Sequence, residues 1–136
     1  MLASVAQSDP AFHCLIDSGA MITGYSNQQV AEALLRLGLP HVEGCVFIDE
    51  HDNQMVVLRN RGNGGAAASA VPLHQCGLSV ANRFTFYDQV HATGTDIKQA
   101  PGARAAVTVS KDMTFRDCAC HAHARVAVCR LSLTLV

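Results

Sequence analysis

The sequence predicts an α/β layered domain with a mainly parallel sheet. Three observations support this: several apolar runs are too short to be helices, one strongly capped amphipathic helix follows the first of them, and turn-rich polar segments separate the rest. Phe12–Ile16, Val46–Ile48, Phe84–Tyr87 and Ala105–Val109 are expected to share one sheet. With 136 residues and 49% hydrophobic content, the chain can bury one core, and disorder is excluded as its general state.

Residues 1–11 carry little pattern and read as a disordered lead-in, which leaves 12–136 as a single domain. Phe12–Ile16 is a short apolar run ending in Asp17-Ser18-Gly19-Ala20, the pattern of a buried strand that breaks at a turn. Ser26 stands three residues before Gln29, the spacing of a capping box, and Val30, Ala33, Leu34 and Leu37 recur at helical intervals. A helix over Asn27–Leu37 follows, closed by Gly38 and prevented from resuming by Pro40.

Glu43–Ile48 and Gln54–Arg59 read as two strands joined by the polar turn Asp49-Glu50-His51-Asp52-Asn53. Residues 60–70, rich in Gly and Ala, read as a flexible insertion. Gly62, Gly64 and Gly65 have no Gly-Lys-Ser/Thr after them, so they do not make a phosphate loop. Val71–Val80 is expected to be a short helical or irregular connection, Lys111–Arg125 a helix and Val126–Val136 a last strand.

A formal net charge of −1 gives no bulk electrostatic basis for binding nucleic acid or a membrane surface. No apolar run reaches the roughly 18 residues of a membrane span, and the first residues lack a basic, apolar leader pattern. The expectation is an intracellular protein, cytoplasmic or nuclear, with no membrane partner and no cofactor. Six cysteines in that setting read as reduced thiols, mostly small core residues.

The stretch Arg83–Asp117 carries the chemistry. Two β-rich runs flank a polar loop holding Asp88, His91, Thr93, Gly94, Thr95, Asp96 and Lys98, the layout of a ligand site presented by rigid strands. Asp88, His91 and Asp96 bring titratable groups into one segment, where a carboxylate can orient and charge an imidazole.

Four blocks taken together carry a resemblance: Cys14-Leu-Ile-Asp-Ser-Gly-Ala-Met-Ile-Thr-Gly-Tyr-Ser-Asn, Val46-Phe-Ile-Asp-Glu, Phe86-Tyr-Asp-Gln-Val-His-Ala-Thr-Gly-Thr-Asp-Ile-Lys-Gln, and Arg104-Ala-Ala-Val-Thr-Val-Ser-Lys-Asp-Met-Thr-Phe-Arg-Asp. In this order they resemble the C-terminal conserved segment of very large eukaryotic proteins of the ubiquitinyl-hydrolase-like (OTU-type deubiquitinase) family. That segment is itself similar to the second RecA-like lobe of superfamily-two helicases, which implies a RecA-like half-domain. Thr93-Gly-Thr-Asp-Ile resembles the helicase motif whose Gly and Asp contact nucleotide or nucleic acid. After Asp117 the chain departs from the pattern. The arginine-bearing helix of the family is replaced by Cys118-Ala-Cys-His-Ala-His-Ala-Arg, so the tail is divergent from 118 and the half-domain incomplete there.

The resemblance implies a fragment of a protein that removes ubiquitin from conjugates, with the rest of a larger parent protein and ubiquitin or a ubiquitinated protein as partners. Cysteine-type hydrolysis needs an activated thiol near a histidine. The candidates here are Cys14 or Cys76 with His91 and Asp88. No Asp-Gly-x-x-Cys motif is present, so the expectation is a structural or binding lobe without the nucleophile. The alternatives are a degenerate helicase-like nucleotide or nucleic-acid-binding lobe and a zinc-binding interaction module. For zinc, Cys118, Cys120, His121 and His123 are four ligand types within six residues, but on a helix their i,i+3 pairs point apart, so no closed metal site is expected. Leu15-Ile-Asp-Ser-Gly-Ala also resembles the active-site turn of retroviral-type aspartic proteases, with Asp17 as the acid, although a capped helix does not fit that all-β fold.

Overall fold

A computed structural model of the chain describes residues 1–60 and 67–112. The elements are α1 (Leu2–Ala6), β1 (Cys14–Ile16), α2 (Asn27–Leu37), β2 (Gly44–Ile48), β3 (Gln54–Arg59), β4 (Ala67–Pro72), β5 (Arg83–Tyr87) and β6 (Ala105–Val107). Short 3-10 turns at Leu73–Gln75 and Val80–Asn82 connect β4 to β5.

The strands form one six-stranded mixed sheet in the order β4-β3-β2-β5-β1-β6. β5 lies between β2 and β1 and is parallel to both, and β6 is parallel to β1 at one edge. β3 and β4 continue the sheet antiparallel on the other side. The α/β class and the mostly parallel sheet therefore stand, with all four expected runs in the same sheet.

Alternation along each strand explains the layering. Leu15, Cys45, Phe47, Val57, Phe84, Phe86 and Ala106 face α1 and α2, whose Val5, Val30, Leu34 and Leu35 complete that half of the core. Cys14, Ile16, Val46, Ile48, Val56, Tyr87 and Ala105 face the opposite side. There the cover comes from irregular chain, with Ala92, Ile97 and Ala103 buried against the sheet and Leu73, Cys76 and Leu78 packed beside them. A buried hydroxyl needs a partner, and Gln99 supplies one for two of them. Its Nε2 donates to Thr85 Oγ1 (3.0 Å) and to Tyr87 OH (3.2 Å).

α2 begins where the capping box places it. Ser26 Oγ accepts from the Gln29 N–H at 3.2 Å and Gln29 Oε1 accepts from the Ser26 N–H at 2.9 Å. At its far end Gly38 donates its N–H to Leu34 O, and a Cβ at Gly38 would lie 2.5 Å from the Ala6 carbonyl oxygen. The close approach of α1 is what requires glycine there.

Two expectations are corrected. Residues 1–11 are not a disordered lead-in: they carry α1, which buries Val5 and Ala6, and the Leu39 N–H donates to Ala6 O at 2.9 Å. Ala67–Ala70 is not part of a flexible insertion either, because it opens β4 and pairs with β3. A backbone ladder at an edge needs no large side chains, so small residues do not forbid a strand. Gly62, Gly64 and Gly65, most of the expected helix Lys111–Arg125 and the whole expected strand Val126–Val136 lie outside the described residues.

Among the described residues, Arg59, Arg83 and Arg104 lie at the amino end of the parallel strands, where Asp9 and Glu43 also stand, while Asp17, Asp49, Glu50, Asp52 and Asp88 lie at the carboxyl end. The three arginines donate to backbone carbonyls: Arg83 to Lys98 O, Arg104 to Pro10 O, and Arg59 to four oxygens around the end of α2. Arg59 Nη1 reaches Leu35 O (3.1 Å), Nη2 reaches Gly38 O (2.9 Å) and Leu39 O (3.0 Å), and Nε reaches Val42 O (3.2 Å). The planar fork thus satisfies orphan carbonyls of the helix terminus and meets its negative dipole end. Arg59→Ala is expected to cost ~2–3 kcal/mol, since it leaves several partly buried acceptors unpaired. Arg59→Lys, with one ammonium for four spread acceptors, should recover only part of the loss. Urea unfolding of the two variants checks this.

Candidate functional site

At the carboxyl end of the sheet, β1 hands the chain to α2 on the helical face, while β5 hands it to segment 88–104 on the opposite face. Neighbouring parallel strands whose connections leave in opposite directions open a crevice between them. Such a crevice is present, a cleft of about 220 Å³ lined by Asp17, Ala20, Ile22, Tyr25, Asn27, Val30, Phe86, Asp88, Gln89 and Val90.

Asp17 builds one wall. Its carboxylate is buried and accepts from the Met21 N–H (2.9 Å), the Ile22 N–H (3.0 Å) and the Thr108 hydroxyl. The Gly19 N–H in turn donates to Thr108 O at 3.1 Å. Asp17 thus fastens the turn after β1 to the chain after β6. A carboxylate saturated in this way, in a sheet backed by helix, is a structural clasp; the aspartic-protease resemblance of Leu15–Ala20 finds no support in the fold.

His91 builds the other feature. Its Nδ1 lies 2.5 Å from Asp88 Oδ1 and its Nε2 lies 2.8 Å from Asp52 Oδ1. Ionised carboxylates only accept, so both contacts together require both ring nitrogens to carry protons, which is the imidazolium form. Burial alone works against that charge, but the hydrogen bonds from Asp52 and Asp88 and the charges of both carboxylates outweigh it and hold the pKa above the ordinary imidazole value. Asp52 comes from the β2–β3 turn, where Asp49 organises the backbone by accepting from the His51 and Asn53 N–H groups at 2.9 and 2.8 Å. The result is a carboxylate–imidazolium–carboxylate latch joining that turn to segment 88–104. Because the imidazole stands between the two carboxylates with one nitrogen turned to each, the three groups share no common point for a cation. Among the described residues no cluster of His, Cys, Asp and Glu could hold a metal ion.

Of the residues the sequence singled out, the structure brings Asp88 and His91 together and places Asp88 in the crevice. Thr93, Gly94, Thr95, Asp96 and Lys98 do not line it; Thr93, Gly94, Asp96 and Lys98 are exposed, with Gly94 turning the loop at a φ of +82°. The cause is the burial of Ala92 and Ile97, which draws this part of the loop over the far face of the sheet. Cys14 is wholly buried inside β1, and Cys76 lies in the cover of the far face, where its Sγ accepts from the Leu78 N–H at 3.4 Å. Neither thiol bonds His91, whose two nitrogens are already occupied. Burial pushes the Cys45 thiol far up, so it is no nucleophile either. Cys118, Cys120, His121 and His123 lie outside the described residues.

Sequence reasoning missed Asp52, Tyr25 and Val90. The polar turn holding Asp52 was visible, but its partner stands 39 positions away. Two large exposed side chains, Tyr25 and Val90, were a signal only once the crevice between them was known.

Comparison with protein-family models, curated proteins and solved structures finds no match to this chain. No described helix is long and apolar enough to cross a membrane.

Asp17→Ala should cost ~2–4 kcal/mol in chemical denaturation, because it strands two backbone donors and a hydroxyl in a buried site. For His91 the sign follows from its raised pKa. Its contribution to stability is complete below the unfolded value of about 6.5 and is lost as pH rises through the higher folded value. Wild-type stability should therefore fall across that window, and His91→Gln should flatten that slope; urea unfolding at a series of neutral to mildly alkaline pH values measures both.

Proposed function

We propose that this chain is a non-catalytic recognition lobe of a ubiquitinyl-hydrolase-like protein, binding ubiquitin or a ubiquitinated protein through the crevice at the carboxyl end of β1 and β5 while the nucleophile resides elsewhere in a larger parent. The observation that carries this reading is the contrast between closed chemistry and an open cleft. Cys14 and Cys45 are wholly buried and His91 has both nitrogens committed, yet the neighbouring crevice exposes Tyr25 and Val90. A thiol protease needs a thiol and an imidazole that share a proton and are open to substrate. A binding lobe needs neither. Exposed aromatic and apolar side chains beside polar groups mark protein-binding surfaces.

The helicase-like reading gains from the position of the crevice, since open α/β sheets bind ligands at that edge. The lining chemistry opposes it. The charged groups of the crevice are Asp17 and Asp88, which repel phosphate, and no lysine or arginine lines it.

The isolated chain should show no turnover of ubiquitin-aminomethylcoumarin. Turnover abolished by Cys14→Ala or Cys76→Ala would overturn the reading and name the nucleophile. Titrating isotope-labelled chain with ubiquitin should shift amide resonances at Ile22, Tyr25, Gln89 and Val90, and an unchanged spectrum would remove ubiquitin as the partner.

A further inference from the structure

The crevice is too small for most whole ligands. Small-molecule sites run from about 300 to 1,000 Å³, and at about 220 Å³ this cleft holds one long side chain of a partner. Ile22, Val30, Phe86 and Val90 are the larger apolar side chains of its lining, and Tyr25, 68% exposed, adds an aromatic ring. Asp88 also lines it, and its Oδ1 accepts from His91 while no hydrogen bond among the described residues reaches Oδ2. Asp17 adds a second negative charge to the lining. The amino end of α2, at Asn27, opposes these with roughly half a positive charge, and the imidazolium of His91 is shared with a third carboxylate, Asp52. The carboxylates outweigh both.

Resting on the reading of this crevice as a recognition surface, we propose that it is a lysine pocket. A partner protein would insert one lysine, its methylene stem lying against Ile22, Val30, Phe86 and Val90, its ammonium at Asp88 Oδ2 and beside the Tyr25 ring. An aliphatic stem with a compact charge at its tip matches a lining of apolar side chains, a carboxylate and an aromatic ring. Lysine fits better than arginine because one carboxylate oxygen is already taken. A guanidinium gains most from engaging both oxygens in a fork, whereas an ammonium is a point charge that one oxygen can satisfy.

The test uses the full 136-residue chain, isotope-labelled, and capped pentapeptides with a central lysine, arginine or norleucine between alanines. The lysine peptide should shift Tyr25, Asp88 and Val90, and the norleucine peptide, which keeps the stem and loses the charge, should bind at least about tenfold more weakly, the worth of one charge-assisted hydrogen bond. Asp88→Asn should erase the difference between those two peptides. Tyr25→Ala, at an exposed position that cannot unfold the core, should weaken lysine binding with no change in melting temperature. Equal binding of the norleucine peptide, arginine binding as tight as lysine, or wild-type lysine binding by Tyr25→Ala would each overturn the proposal. Lysine discrimination without any response to ubiquitin supports the pocket and removes ubiquitin as its partner. A ubiquitin response at the crevice without lysine discrimination overturns the pocket and leaves that partner in place.

Discussion

The buried carboxylate of Asp17 is the constraint on which the arrangement turns. A charge out of water must be met by donors, and here they come from the Met21 and Ile22 backbone and from Thr108. Meeting it fixes three things at once: the sharp exit from β1, the approach to the Ser26 cap of α2, and the position of the chain leaving β6. With the exit from β1 fixed, α2 packs on one face of the sheet. Segment 88–104 covers the other, and the crevice between β1 and β5 is what remains open.

Much of the fold was legible because its determinants are local. The Ser26–Gln29 capping box and Gly38 bound α2 as expected, since a helix is bounded by groups a few positions from its ends. The buried stripe, however, is Val30, Ala31, Leu34 and Leu35, and Leu37 of the expected Val30, Ala33, Leu34, Leu37 spacing is exposed. Phe84–Tyr87 alternates so that Phe84 and Phe86 face the helices while Thr85 and Tyr87 face away, which a short run of β-rich residues already suggests. β4 escaped because an edge strand is held by its ladder to β3 and its composition says little. α1 escaped because a five-residue helix with two buried side chains leaves no measurable period.

The site was legible as a region and not as a geometry. Asp88 and His91, three apart, could be read as a pair; the Asp52 contact that makes the imidazole a bridge depends on how the β2–β3 turn folds back over the sheet edge. That third group reverses the chemical meaning. An imidazole with one carboxylate can serve as a base, whereas one held between two is a fastener. Likewise Thr93–Asp96 reads as a contact motif until the burial of Ile97 is known, because a single anchored side chain decides which way a loop leans.

The distribution of arginines and carboxylates has a consequence for encounters in solution. Among the described residues, Arg59, Arg83 and Arg104 at one end of the strands and Asp17, Asp49, Asp52 and Asp88 at the other contribute a dipole roughly along the strand direction. A charged partner exerts a torque on such a body before it touches it, turning the acidic end toward a basic surface at separations up to the Debye length, about 8 Å at physiological ionic strength. These charges aim the carboxyl end of the strands at a basic surface, and added salt would slow productive collisions by removing the alignment.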